Sequence, residues 1–247
     1  MPVYFDATVF SRFLFAQDNN VLSAKLRHMN ELIQTIAVFA IPVILAITLH
    51  EAAHAFAARY LGDNTAYSQG RMTLNPIKHI DPFGTILIPI VLYVSTGGAF
   101  LFGYAKPVPV DYARLRKPKR DMAWVALAGP VANFIMAFGW LILLLVFAAM
   151  NVSEPFFSKM AEAGVRTNLV VLAFNLFPIP PLDGGRVMTS LLPNRLAIKF
   201  AQLEPYGFFI VMALVLTKVL SFWMEPVMYA SLKILQVLTL PLTFLLN

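Results

Sequence analysis

Apolar residues gather into long blocks along the chain. Runs near 32–58, 122–150, 165–192 and 206–223 each approach or exceed the roughly 20 apolar residues that carry a helix through a hydrocarbon core of about 30 Å. A fifth, 227–246, contains Lys233, and a sixth, 84–104, is interrupted by Ser95, Thr96, Gly97 and Gly98. No polar stretch has the length of a soluble domain, and there is no internal repeat. The pattern predicts an all-α polytopic membrane protein with about five transmembrane helices plus a re-entrant or hairpin segment. Residues 1–31 carry Arg12, Lys25 and Arg27 between short apolar bursts such as Phe13, Leu14 and Phe15, without a small-residue cleavage site. They read as an N-terminal interfacial segment ahead of one membrane domain, 32–247.

Composition agrees with this reading: 59% of the 247 residues are hydrophobic, 13% are charged, and mean hydropathy is +0.71. The formal charge of +6 does not point to nucleic acid. Lys106, Arg114, Arg116, Lys117, Lys119 and Arg120 share one loop, and a basic loop between apolar segments marks a cytoplasmic face. There is no cysteine, so any metal must be held by nitrogen and oxygen.

The first apolar run leads directly into His50-Glu51-Ala52-Ala53-His54, followed by helix formers. Residues four apart share a helix face, so both imidazoles can aim at one ion while Glu51 reaches water beside it. The alternative is a pair of core histidines, but three ionisable side chains within five residues at membrane depth are expensive without a function. Pro42, eight residues earlier, either kinks this helix or is simply tolerated in it.

A catalytic zinc takes three protein ligands and a water, so a third ligand must come from elsewhere. Asp63, Asp81, Asp111 and Asp121 lie in polar connections, whereas Asp183 is embedded in apolar sequence. Pro178, Pro180, Pro181, Gly184 and Gly185 surround it, and such a run predicts unwound backbone, tolerated at membrane depth only where it lines a cavity. His79 with Asp81 is a competing ligand source, although that segment reads more naturally as a turn.

Three features in order, His50-Glu51-x-x-His54, Gly129-Pro130-x-x-Asn133, and Asn175 followed eight residues later by Asp183-Gly184, resemble the site-2 protease family of intramembrane zinc metalloproteases. The resemblance covers roughly residues 32–225. It implies helices around a buried zinc, with His50, His54 and Asp183 as ligands, Glu51 as general base, and Asn133 and Asn175 near the reacting carbonyl. The asparagines also fit interhelical hydrogen-bonding glue. Implied partners are single-span transmembrane substrates and the lipid bilayer, and the implied location is the plasma membrane with the active site towards the cytoplasm.

The chain differs from better-known relatives in having no insertion long enough for a peptide-binding domain. No soluble domain follows residue 225, and no membrane helix precedes the motif helix unless residues 1–31 supply it. If the motif helix and the basic loop both end in the cytoplasm, 84–104 must return to the side it left, turning near Gly97-Gly98. Residues 65–75 read either as strands near this entrance or as an ordinary loop. An ion transporter built on Asp183, or a scaffold that binds membrane helices without cutting them, are the rival functions.

Overall fold

The computed structural model describes residues 7–87, 91 and 106–246, and the described residues contain helices and turns with no strand. The 54-residue α1 (Ala7–Tyr60) carries the motif near its C-terminal end. Residues 7–31, expected as an interfacial segment, continue without a break into the apolar part of α1; residues 1–6 lie outside the described set. The one-turn α2 (Thr65–Ser68) follows, then α3 (Pro118–Ala149) and α4 (Pro155–Asn175). Next come α5 (Asp183–Leu191), α6 (Asn194–Ala201), α7 (Gly207–Leu216) and α8 (Val219–Leu246).

Helix α3 is central, packing on α1, α4, α5 and α8. The contact surfaces are built from small residues: Ala46, Ala55, Ala58, Ala126, Ala137, Ala161 and Ala173 are essentially inaccessible. Between membrane helices, where lipid is as apolar as leucine, close backbone approach of this kind holds the bundle together. At Gly164 the indole of Trp140 lies against the backbone of α4, so a Cβ there would sit 2.2 Å from the ring. Around that contact Ala137, Val165, Leu169 and Leu235 form a core cluster, flanked by Phe134, Phe138 and Leu232.

Among the described residues, three helical stretches are long and apolar enough to cross a bilayer: Met29–Tyr60, Pro118–Ala149 and Asn194–Leu216. These three do not by themselves establish the expected count of about five. Helix α4 has 21 residues, but its first turns carry Lys159, Glu162 and Arg166. The expected runs 206–223 and 227–246 are also divided differently. Helix α7 stops at Leu216, Lys218 takes a left-handed φ of 59°, and α8 then runs unbroken for 28 residues. Thr217 and Lys218, a polar pair inside an apolar run, mark the break.

Residues 65–75 form α2 and a turn in which Gly70 has φ +63°, not a strand. The cause is local: the Asp63 carboxylate accepts hydrogen bonds from both the amide and the hydroxyl of Thr65, starting a helical turn.

The connection from α1 to α3 begins and ends at one end of the bundle. Arg116 N donates to Leu61 O at 3.0 Å, and Asp111 N donates to the Asp63 carboxylate at 2.8 Å. Lys106 N also donates to His79 O at 3.0 Å, so the two ends of the stretch 80–105 meet. Most of the expected excursion 84–104 lies outside the described residues.

Candidate metal centre

His50 and His54 project from one face of α1 onto α3, which runs antiparallel to it. His50 is ten residues from the end of α1 and Gly129 eleven from the start of α3, which places the site about 15 Å in from that end of both helices. Gly129 is what allows the approach. A Cβ there would lie 2.5 Å from His50 Cε1 and 2.5 Å from His54 Nε2.

Each imidazole is held from behind. His54 Nδ1 lies 2.8 Å from the carbonyl of Val125, an acceptor only, so Nδ1 carries the proton. His50 Nδ1 lies 2.6 Å from Asn133 Oδ1. The orientation of that amide follows from its other end, where Nδ2 donates to Ala46 O at 3.2 Å and to Asn168 Oδ1 at 2.9 Å. Asn168 Nδ2 in turn donates to Gly164 O at 2.8 Å. Both histidines are thereby fixed in the tautomer that leaves a lone pair on Nε2, an arrangement that orients metal-ligating histidines.

Asp183 comes from the opposite side, as the first residue of α5. The unwound backbone 176–182 leads into it, as its prolines predict, and the first turn of α5 packs directly on that stretch. A Cβ at Gly184 would lie 2.2 Å from Leu176 O, and one at Gly185 2.3 Å from Pro180 N. Glycine is required at both positions by contact. Arg186, one turn on, clamps α5 from outside: its guanidinium bonds the Tyr112 hydroxyl and, at 3.1 Å, Glu204.

Three atoms therefore converge. His50 Nε2 and His54 Nε2 are 3.0 Å apart, and they lie 3.2 and 3.3 Å from Asp183 Oδ2, which is buried and has no hydrogen-bond donor. With each Nδ1 engaged from behind, both Nε2 atoms and the carboxylate oxygen are turned towards one shared point. A cation fits such a cluster. Donors on a tetrahedral centre with bonds of about 2.0 Å stand about 3.3 Å apart, close to what is observed. Among the described residues this is the one group of three or more histidine or acidic side chains arranged to share an ion.

The competing pair is committed to structure instead. His79 is buried with Nε2 2.9 Å from Thr73 O, and the Asp81 carboxylate accepts from the amides of Phe83 and Gly84 at 3.0 and 2.7 Å. Glu51 lies next to His50, its Oε2 accepting from Val108 N at 2.7 Å. Asn175, at the end of α4, donates to Val171 O of its own helix at 3.0 Å. Asn133 stands behind His50, with its amide fully engaged. Sequence reasoning missed Asn168 and Val108. Asn168 lies seven residues before Asn175, hence on the same face of α4, which was the available signal; a backbone amide leaves none.

Residues 38–167 match Peptidase family M50. The chain is 41% identical over 196 residues to "Putative zinc metalloprotease YwhC" of Bacillus subtilis (strain 168), covering 77% of this chain and 85% of that one. It is 32% identical over 187 residues to "Putative zinc metalloprotease Rip2" of Mycolicibacterium smegmatis, covering 75% and 69%. An archaeal protein, "Putative zinc metalloprotease MJ0611" of Methanocaldococcus jannaschii, is 28% identical over 157 residues, covering 62% and 72%. No solved structure matches. A His-His-Asp cluster able to share an ion thus lies among apolar helices, and the similarity is decisive for the family: the chain belongs to peptidase family M50, the site-2 protease family of zinc metalloproteases.

Proposed function

We propose that the protein is an intramembrane endopeptidase that cuts peptide bonds in or near the membrane segments of single-span proteins, with His50, His54 and Asp183 holding zinc and Glu51 acting as general base. The convergence of three lone-pair donors about 15 Å inside a helical bundle, with a carboxylate beside them, carries the reading. When bound, zinc supplies Lewis acidity that polarises the scissile carbonyl and acidifies a water. Glu51 then takes the proton of that water and passes it to the leaving amine. Asn133 and the Val125 carbonyl keep both imidazoles in the ligating tautomer, and Asn175 borders the unwound stretch 176–182, where an opened substrate backbone can be received.

The basic loop supports a cytoplasmic location for this end of the bundle in the plasma membrane, with 84–104 re-entering on the side it left. The test is a pair of variants. Asp183→Ala is expected to lose zinc and cleavage together, whereas Glu51→Gln, nearly isosteric, is expected to keep zinc and lose cleavage about a hundredfold or more. Full metal content in the first or near-normal cleavage in the second would overturn the assignment.

A further inference from the structure

The extended segment 106–111 lies along the motif half of α1 and is fastened at several points. Lys106 N donates to His79 O at 3.0 Å, Arg71 Nη2 donates to Lys106 O and Pro107 O at 3.0 and 3.3 Å, and Asp111 N donates to the Asp63 carboxylate at 2.8 Å. The Val108 side chain is buried with Ala55 and Ala66, the former one helical turn beyond Glu51. Pro107 and Pro109 have no N–H, so between them this strap offers a single backbone donor. That donor, Val108 N–H, meets Glu51 Oε2 at 2.7 Å.

We propose that the Val108 amide is a positioning group for the general base. This rests on the Glu51 role above. A glutamate side chain has several rotatable bonds, and with one oxygen unheld its carboxylate samples orientations that do not serve proton transfer. Fixing Oε2 leaves Oε1 as the oxygen that faces the reacting water. A backbone amide suits the task because it is neutral at every working pH and cannot take the proton that Glu51 must carry. Pro107 and Pro109 also interrupt the repeating N–H pattern of a strand edge, so the one donor between them goes to Glu51.

The decisive variant replaces Val108 with its α-hydroxy analogue, converting one amide to an ester, which removes the N–H, keeps the side chain and only weakens the Pro107 carbonyl that Arg71 bonds. Val108→Pro does the same with natural residues, and Val108→Ile keeps the donor. The probe is a fluorophore–quencher peptide of about 20 apolar residues with a central Gly-Pro, in detergent micelles. The ester and Val108→Pro are expected to lower kcat about ten- to a hundredfold with KM within about twofold and zinc content unchanged, and Val108→Ile to restore most of the rate. In 15N-valine-labelled protein the Val108 amide proton is expected at low field, moving upfield in Glu51→Gln. If Val108→Pro does not fold, the ester decides. A kcat within about threefold of the parent for the ester, or an amide signal indifferent to Glu51→Gln, overturns the proposal. A normally active Glu51→Gln would instead remove the general-base reading itself, so the two failures are distinguishable.

Discussion

Replacing Gly129 with alanine is expected to act on the metal site alone, and in the direction opposite to helix propensity. Alanine favours a helix interior over glycine by about 1 kcal/mol, so α3 itself gains. The new methyl, however, would lie 2.5 Å from His54 Nε2 and from His50 Cε1, and 2.7 Å from His50 Nδ1, where ordinary contact is 3.4–4 Å. About 1 Å must be recovered on each side. The imidazoles cannot withdraw without giving up their bonds at 2.6 and 2.8 Å to Asn133 and Val125. Overpacking of this kind costs typically about 1–3 kcal/mol. Falling on the zinc-loaded state, it weakens zinc binding by about 5- to 150-fold. The assay is competition against a chelator of known affinity, with thermal unfolding of the metal-stripped protein in parallel. The stripped protein is expected to lose less, because without an ion its rings can turn aside at the cost only of their bonds to Asn133 and Val125. Unchanged zinc affinity and cleavage in Gly129→Ala would refute the packing of α3 on the two histidines.

Asn133→Ala strands His50 Nδ1, Ala46 O and Asn168 Oδ1 together, and is expected to lower zinc affinity about 10- to 100-fold by equilibrium dialysis; Asn168→Ala, one bond further out, should cost less. Arg116→Cys gives a single thiol in a chain without native cysteine, and an impermeant reagent is expected to label it in inverted vesicles but not in intact cells. Cleavage is expected to follow substrate helix stability, since Gly costs a helix about 1 kcal/mol and Pro about 3 relative to Ala. Replacing a substrate's membrane Gly or Pro with Leu should therefore slow cleavage with binding retained, and unchanged rates would show that something other than helix opening selects the substrate.

The parts of the site that lay open in the sequence are those whose chemistry is written in side chains with a fixed period. His50 and His54 share a helix face by spacing, and Asp183 stands out because Asp63, Asp81, Asp111 and Asp121 lie in polar connections while it is set in apolar sequence. Its prolines and glycines announced the unwound approach, and the contacts of Gly184 and Gly185 explain their presence. What stayed hidden depends on backbone atoms or on pairing across helices. The Val125 carbonyl and the Val108 amide have no letter of their own, and Asn168 reads as an isolated polar residue until Asn133 is beside it. The division of the C-terminal apolar runs was hidden for a related reason. Hydropathy averages over Thr217 and Lys218, whereas one left-handed residue is enough to end a helix.

The bond between Lys106 N and His79 O joins the residues that flank 80–105. The His50, His54 and Asp183 triangle is built from residues on either side of that stretch and from none within it. Evolution can lengthen, shorten or redecorate this stretch as if it were an accessory, and new substrate preferences can arise there without any change to the chemistry.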